Sequence, residues 1–217
     1  MTKLELQMVD CLQELKDDYG VLEIKAEFEA EATRNNELIR LKDITSRVGL
    51  PIILKIGGAE AITDVYNAIN IGVKSIVAPM AETAFALNKF LKVVKVIKKK
   101  EIALDTDFHF NMETITAYEN LSGMLKLEDI DLLAGMTVGR VDLTGSMDFD
   151  RSKANSDEIY KMCEKSFLKA RAKGLKTALG GAISTDSIDF ITRLHEDGLI
   201  DKFETRKVVF FSESIKY

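Results

Sequence analysis

The sequence predicts an α/β fold of the (β/α)8, or TIM-barrel, type, because one short unit recurs along the chain. In each unit a helical segment ends at a glycine and a short apolar run follows; the glycines are Gly20, Gly49, Gly72, Gly135 and Gly174. A glycine just past a helix takes the left-handed conformation that ends the helix, and a β-rich run predicts the next strand. The apolar runs are continuous rather than alternating, as in parallel strands covered on both faces. Neither a G-x-G-x-x-G fingerprint nor a G-x-S-x-G turn is present, which favours a barrel over an open doubly wound sheet.

The pattern places seven strands in order along the chain, near residues 21–28, 51–56, 73–78, 102–112, 133–139, 175–180 and 204–210. An amphipathic helix over residues 2–18 precedes them, and helical segments such as AITDVYNAINI and ETAFALNKFLKVVKVI separate them. A complete barrel needs eight strands, so the barrel is predicted to be incomplete or to have its first strand replaced. No linker or break in composition divides the chain, and residues 1–217 are predicted to form one domain.

Composition narrows the class of protein. The chain has 217 residues, 46% of them hydrophobic and 30% charged, with a net charge of −5 and a pI near 5.3. This acidic balance argues against a nucleic-acid partner, and the basic run KVIKKK is predicted to be a solvated helix end. No apolar stretch approaches the ~18–20 residues of a membrane span. Two cysteines, Cys11 and Cys163, give no disulfide framework, and we expect a cytoplasmic protein.

Polar side chains follow the predicted strands at their C-terminal ends, where barrel enzymes carry their active sites. Glu113 and Asp142 lie at the ends of adjacent strands, which run about 4.8 Å apart. Two carboxylates in this position can bind one hard cation such as Mg²⁺. The alternative is that Glu113 opens a helix and Asp142 caps a turn.

Two Gly-Gly pairs are a second indication of a ligand site. Gly57-Gly58 in KIGGAEAI and Gly180-Gly181 in LGGAISTDS both run from a strand into a helix. Exposed backbone N–H groups at such a point suit a carboxylate or phosphate, although tight turns explain the glycines equally well. Lys55 and Arg140 place cations at strand ends in apolar surroundings, which indicates an anionic substrate. His109 lies inside a strand and is predicted to be packed rather than catalytic.

The motifs FNMETITAYENL and MTVGRVDLTGSM resemble the paired motifs of the HpcH/HpaI aldolase and citrate lyase β-subunit family. That resemblance implies that Glu113 and Asp142 bind Mg²⁺, or Mn²⁺. GVKSIVAPMAETAFAL is similar to the family's strand that ends in a Pro-Met pair, here Pro79-Met80. The likeness covers roughly residues 20–211. It matches the seven strands to the family's second through eighth and leaves the N-terminal helix where the first strand would be.

The sequence also departs from the family pattern. The aldolases carry D-x-E-H with an acid/base histidine, whereas this chain reads Glu27-Phe28-Glu29-Ala30, closer to the citrate lyase branch. Lys55 replaces the arginine that binds the substrate carboxylate, keeping the charge but losing bidentate geometry. The family has an arginine-containing loop before the strand that carries the metal-binding glutamate. This loop is missing here, since the segment KKKEIALDTDFHF continues directly into the predicted strand.

The resemblance implies a metal-dependent carbon–carbon lyase or aldolase that acts on a small anionic keto acid through an enolate. Glu27, or a metal-bound water, is the candidate for proton transfer, with Lys55 and Arg140 as catalytic cations. The residues expected to contact substrate are Lys55, Gly57, Gly58, Pro79, Met80, Ser146, Gly180 and Gly181. Two alternatives stay open: a diverged anion-binding barrel without lyase chemistry, and phosphoenolpyruvate-type chemistry. A homo-oligomer is expected, because the family forms oligomers and an incomplete barrel exposes a strand edge.

Overall fold

A computed structural model describes residues 1–216 and shows eight strands closed into a barrel in sequence order. The strands are β1 Val21–Glu27, β2 Ile52–Lys55, β3 Ser75–Ala78, β4 Asp107–Met112, β5 Gly135–Gly139, β6 Lys176–Gly180, β7 Lys202–Glu204 and β8 Val208–Phe211. The helices are α1 Lys3–Tyr19, α2 Asn35–Arg47, α3 Ile62–Ile71, α4 Ala84–Lys99, α5 Ile115–Met124, α6 Arg140–Gly145, α7 Asp157–Arg171 and α8 Ile188–Glu196. Short 3-10 helices span Ile130–Leu132, Arg151–Asn155, Thr185–Ser187 and Ser212–Lys216. The α/β barrel class is therefore confirmed.

A C-terminal hairpin supplies the eighth strand, so the prediction of an incomplete barrel was wrong. Strands β1 to β7 pair in parallel, whereas β8 pairs antiparallel with both β7 and β1. The predicted single strand near 204–210 is two strands, because Thr205 closes a tight turn. Its hydroxyl accepts a hydrogen bond from Val208 N at 3.1 Å and is 2.9 Å from Val208 O. A closed barrel also removes the open edge as a reason to expect an oligomer.

Helix α1 lies outside the barrel and does not take the place of a strand. Thr2 and Glu5 form a capping box at its start, and Gly20 ends it at φ 67°. The sequence predicted this helix from its amphipathic pattern and from Gly20 at its end, without the capping box. Its inner face contacts a small apolar cluster formed by Val21, Ile24, Val48 and Leu50, against which Val9, Leu12 and Leu15 pack.

The main hydrophobic core lies between the barrel and its helices. Ile52 and Leu54 belong to it, whereas Ile53, on the opposite face of β2, joins Val77 and Val209 in a separate small cluster. Side chains alternate along a strand, so this second face looks into the barrel. The other buried inward side chains are largely polar, among them Glu23, Glu27, Lys55, His109, Asn111, Thr137 and Glu204. The interior of this barrel is therefore a polar network with few apolar members.

Two predicted local features were wrong. Strand β4 begins at Asp107 rather than at 102, since residues 103–106 form a turn in which Thr106 N donates to Ala103 O at 3.2 Å. Gly135 lies inside β5 and does not cap a helix. A Cβ at this position would stand 2.6 Å from Lys176 O and 2.9 Å from His109 Nδ1, so close packing of the histidine ring requires glycine.

His109 is buried, as predicted, and lines a cavity of about 610 Å³ at the N-terminal end of the strands. Burial, with the nearby charges of Lys202, Lys176 and Lys74, lowers the pKa of His109 to about 3. In the folded protein the imidazole therefore stays neutral down to about pH 3. In the unfolded chain it is protonated at about pH 6.5 and below.

We expect this histidine to make folding stability depend on pH. Between about pH 3 and 6.5 the unfolded state binds the extra proton, so the free energy of unfolding rises with pH at up to ~1.4 kcal/mol per unit. Urea unfolding at pH 5 and pH 7 should show a wild-type difference about 2 kcal/mol larger than that of H109L. The control H195Q still contains His109 and should keep the wild-type dependence. An H109L protein with the wild-type dependence would contradict the buried neutral histidine.

Candidate functional site

A cavity of about 340 Å³ opens at the C-terminal ends of the strands, where barrel active sites lie. Of the residues predicted from the sequence, the structure brings the following together in its wall: Glu27, Lys55, Met80, Glu113, Asp142, Gly180 and Gly181. The wall also contains Lys25, Glu29, Asn111, Thr137, Arg151, Glu204 and Arg206. The cavity is thus rich in both carboxylates and cations.

Glu113 is held in a fixed orientation in this wall. Its Oε1 accepts a hydrogen bond from Met80 N at 3.0 Å, and its Oε2 accepts one from Asn111 Nδ2 at 3.1 Å. A Cβ at Gly139 would lie 2.7 Å from Glu113 Oε2, so the carboxylate fits only because residue 139 is glycine. Burial raises the pKa of Glu113, with Lys55 opposing the rise and Asp142 adding to it.

Asp142 lies in the first turn of α6, directly after β5, and its side chain is exposed to the cavity. Ser146, directly after the same helix, does not line the cavity, so the structure does not bring it together with the other residues predicted to contact substrate. Its hydroxyl accepts a hydrogen bond from Ile115 N at 2.8 Å and donates to Leu143 O at 2.7 Å. Ser146 therefore joins the start of α5, two residues beyond Glu113, to the helix that carries Asp142.

Glu113 and Asp142 fit a hard cation in their chemistry. Mg²⁺ takes one or two protein carboxylates and completes its coordination with water and substrate oxygens. Among residues 1–216, no group of three or more His, Cys, Asp and Glu side chains is arranged to hold a metal ion. A site here would accordingly have two carboxylates, suited to a cation that keeps several exchangeable ligands.

A chain of ion pairs crosses the floor of the cavity. Lys25 Nζ lies 3.2 Å from Glu204 and 3.5 Å from Glu27, and Lys55 Nζ lies 2.7 Å from Glu29 and 3.8 Å from Glu27. Glu27 is 1% exposed, and its Oε2 has no hydrogen-bond partner within the described part of the chain. Arg206 Nη1 lies 3.5 Å from this oxygen, so the oxygen has an ion-pair contact but can still accept a hydrogen bond from a ligand.

Both lysines are held as cations by these carboxylates. Burial alone would lower the pKa of Lys25, but Glu204 and Glu27 outweigh it and the pKa is raised. Burial likewise opposes the charge of Lys55, yet Glu29, Glu113 and Glu27 raise its pKa. A lysine that stays protonated is a poor nucleophile, so this arrangement disfavours Schiff-base chemistry at either position.

Arg140, which the sequence analysis predicted to be a catalytic cation, is fully buried. Its guanidinium donates to Gly180 O, Gly181 O, Ala154 O, Asn155 Oδ1 and Ser187 Oγ at 2.6–3.4 Å. It also stacks on the ring of Phe190 at 4.6 Å, and it does not line the cavity. With its donors used by the protein, Arg140 ties together the segments that follow β5 and β6.

Gly57, Gly58 and Pro79 lie outside the cavity wall, apart from the other residues predicted to contact substrate. Gly57 N donates to Asp64 Oδ2 at 2.8 Å, so this N–H is already satisfied within the protein. Gly58 and the buried Pro79 shape the turns after β2 and β3. The tight-turn explanation of Gly57-Gly58 is therefore the better one.

Gly180 and Gly181 do line the cavity, and packing requires the second of them to be glycine. Gly181 has φ 76°, and a Cβ there would lie 2.6 Å from the backbone nitrogens of Arg140 and Val141. The turn after β6 thus lies directly against the start of α6. This contact places the turn beside the helix that carries Asp142.

The sequence analysis assigns no role to six polar residues of the cavity wall: Lys25, Asn111, Thr137, Arg151, Glu204 and Arg206. One signal could have found part of the network: Glu23, Lys25 and Glu27 alternate along β1. Charges at every second position of a buried strand point to one face, here the inside of the barrel. Arg151 lies in the segment DFDRSKAN, which carries no motif.

No family model matches the sequence, and no curated protein matches it. Among solved structures, the barrel is similar to an HpcH/HpaI aldolase from Desulfitobacterium hafniense, at a TM-score of 0.68 and 14% identity, covering 86% of this chain and 77% of that one. The chain has the fold of the HpcH/HpaI aldolases. An aldolase/citrate lyase family protein from Burkholderia cenocepacia is similar at a TM-score of 0.69 and 10% identity, covering 92% and 90% of the two chains. The citrate synthase SbnG is similar at a TM-score of 0.72 and 13% identity, covering 92% of this chain and 80% of that one.

At these identities the likeness to HpcH/HpaI aldolases is one of fold. This likeness confirms the resemblance that the strand-end motifs indicated. It extends over most of this chain and of each compared structure. Within residues 1–216, no helix combines the length and the apolar character needed to cross a membrane.

Proposed function

We propose that this protein is a divalent-metal-dependent carbon–carbon lyase or aldolase that acts on a small anionic keto acid, or a related acyl substrate, through an enolate. The observation that carries the proposal is Glu113, held by two hydrogen bonds beside Asp142 in the strand-end cavity. Structures of the same fold belong to aldolases, a citrate synthase and citrate lyase family proteins, which supports the class of reaction.

Glu113 and Asp142 would hold the cofactor, Mg²⁺ or Mn²⁺. The hydrogen bonds from Met80 N and Asn111 Nδ2 each occupy one lone pair of the Glu113 carboxylate and leave the others free. A divalent cation bound there would supply positive charge for the enolate oxygen that develops as the carbon–carbon bond breaks. The cation would also offset the cost of burying an ionised Glu113.

The chain's own residues supply the rest of the site. Lys55 presents a positive charge to an anionic substrate, and Met80, Gly180 and Gly181 contribute cavity wall. Glu27 Oε2 is our candidate to take and return a proton, because it is a buried carboxylate oxygen without a hydrogen-bond partner in the described chain. We further propose a cytoplasmic homo-oligomer with a small-molecule substrate and no nucleic-acid partner.

The test is a retro-aldol assay over a panel of keto-acid aldols with Mg²⁺ or Mn²⁺. We expect E113Q to lower turnover at least ~100-fold, since loss of one electrostatic contact to the developing charge has effects of that size. Chelation of the metal should have a similar effect on the wild type. The control E119Q changes an exposed carboxylate of α5 outside the cavity and should retain activity. If E113Q keeps its turnover, the metal assignment fails.

A second candidate is an anion-binding barrel without lyase chemistry. The observation that favours it is that no histidine lines the cavity among the described residues, and both Lys25 and Lys55 are ion-paired. Calorimetry separates the two functions. Tight binding of a small anion, independent of metal and without turnover, would support the binding barrel. Phosphoenolpyruvate-type chemistry would instead show as phosphate release in the same substrate panel.

A further inference from the structure

We propose that the cavity at the N-terminal ends of the strands is a second ligand site, which binds an uncharged molecule with an apolar body and one hydroxyl group. We call it the strand-start cavity. It has a volume of about 610 Å³ and lies at the opposite end of the barrel from Glu113 and Asp142. Small-molecule sites in proteins have volumes of this size. The inference is independent of the proposed function.

One hydrogen-bonding atom in the wall of the strand-start cavity has no partner. His109 lines the cavity and is 6% exposed, and its Nε2 makes no hydrogen bond within residues 1–216. Glycine at position 135 makes room for the ring, because a Cβ there would stand 2.9 Å from His109 Nδ1. Buried polar atoms are nearly always hydrogen-bonded in native proteins, so the unpaired nitrogen indicates an occupant of the space beside it.

The buried charges around His109 are already paired with one another. Glu23 Oε1 accepts a hydrogen bond from Ser75 Oγ at 2.7 Å, and Glu23 Oε2 accepts one from Lys202 Nζ at 2.6 Å. Lys74 Nζ lies 3.3 Å from Asp107 at the edge of the same cavity. A charged ligand would therefore have to compete with an existing ion pair for each of these groups.

The remaining charges of the cavity also balance. Asp201 lies 3.0 Å from Arg171 and accepts a hydrogen bond from Thr177 N at 2.7 Å. Lys176 and Glu213 have no ion pair within residues 1–216, but both are exposed and their charges are opposite. The strand-start cavity thus offers neither an excess of cations nor an excess of acids, and this favours an uncharged ligand.

Apolar side chains form much of the rest of the wall: Leu22, Pro51, Ala134, Met136, Ile200 and Phe211. They suit an apolar ligand body, and the 43% exposed ring of Phe211 adds an aromatic surface. The imidazole of His109 is neutral at pH 7, because burial and the nearby lysines lower its pKa to about 3. Each nitrogen of a neutral imidazole is a donor in one tautomer and an acceptor in the other. A hydroxyl group can pair with either.

The probe is phenol, titrated at pH 7 into protein whose two histidines carry ¹⁵N and followed through the imidazole resonances. The variant H195Q removes one set of resonances and so assigns the other set to His109. We expect phenol to shift the His109 resonances saturably with a Kd of ~1 mM, an affinity within reach of a ligand of this size. Phenol is uncharged at this pH, as the tyrosine side chain is.

Three matched probes test the class of ligand. Toluene replaces the hydroxyl group by a methyl group, whereas benzoate carries a negative charge and benzylamine a positive one. We expect each to bind at least ~5-fold more weakly than phenol. Toluene leaves the imidazole nitrogen unpaired, and the charged probes lose their hydration without gaining an unpaired counter-charge inside the cavity.

Variants at His109 test whether this side chain is the contact, with calorimetry as the measurement. H109L should bind phenol and toluene with equal affinity, since leucine cannot form the hydrogen bond. H109Q retains a hydrogen-bonding amide and should keep part of the preference for phenol. E113Q changes the opposite end of the barrel and should bind phenol as the wild type does, so a failure of the metal assignment leaves this site untouched.

Three results would overturn the inference. Without a saturable His109 shift up to about 20 mM phenol, well above the expected Kd, the cavity holds only water. If benzoate or benzylamine binds more tightly than phenol, the ligand is not uncharged. If H109L still prefers phenol over toluene, phenol binds elsewhere. Should H109L fail to fold, the wild-type resonances and the intermediate preference of H109Q decide the question.

Discussion

Replacing Lys25 with methionine should destabilise the protein by about 3–5 kcal/mol, although methionine fills a similar volume. Lys25 lies 3.2 Å from Glu204 and 3.5 Å from Glu27, and these two carboxylates are 5% and 1% exposed. Removing one partner of a buried ion pair leaves an uncompensated charge in the interior, which costs this much. The raised pKa of Lys25 and the lowered pKa of Glu204 agree that both groups are ionised in the fold.

A double-mutant cycle measures the pairing itself. The variants K25M, E204Q and K25M/E204Q, unfolded in urea at pH 7, should give a coupling free energy of about 1.5–3 kcal/mol. The double variant removes both charges of the pair, and Glu27 keeps Lys55 at 3.8 Å. The matched control is the exposed pair Arg34–Glu37, whose side chains are 76% and 47% accessible. The double-mutant cycle of this control pair should give a coupling free energy below ~0.5 kcal/mol. A coupling that small for Lys25 and Glu204 would mean that the pair is not ionised and buried together.

The barrel could be predicted because its signals are local. Each helix end and the apolar run after it are read within about ten residues, and the capping box of Thr2 and Glu5 is complete in the sequence. The last strand was predicted wrongly for the opposite reason. Nothing local distinguishes one parallel strand from two antiparallel ones in KFETRKVVFF; the Thr205 turn decides it, and pairing with both β7 and β1 stabilises it.

The candidate site, like the fold, could be predicted from the sequence only where its signals are local. That Glu113 and Asp142 lie in one cavity wall could be predicted because both follow recognisable strands that end at one edge of the sheet. The burial of Arg140 could not be predicted, since a cation at a strand end has the same sequence pattern whether it faces a ligand or the protein. The distinction depends on acceptors far along the chain, Gly180 O and Gly181 O, that only the closed fold brings near. The same holds for Lys25, whose partner Glu204 is remote in sequence.

Replacing Arg140 with methionine should also lower the free energy of unfolding by about 3–5 kcal/mol. The side chain is fully buried, and its removal leaves the carbonyl oxygens of Ala154, Gly180 and Gly181 without their donors. Buried acceptors without partners each cost about 1–3 kcal/mol. Stacking on Phe190, at 4.6 Å, is lost as well.

The variant R140K separates this anchoring role from the substrate contact that the sequence suggested. Lysine keeps the charge, but its compact ammonium cannot span acceptors on both the 3-10 helix Arg151–Asn155 and the turn after β6. We therefore expect R140K to be destabilised by about 2–3 kcal/mol in urea unfolding. The control R47M, at a half-exposed surface arginine, should change stability by less than ~0.5 kcal/mol. If R140K and R140M unfold like the wild type and only the KM rises, then Arg140 contacts substrate. If both are destabilised, its five hydrogen bonds are what place Arg151 and the Gly180-Gly181 turn at the rim of the site.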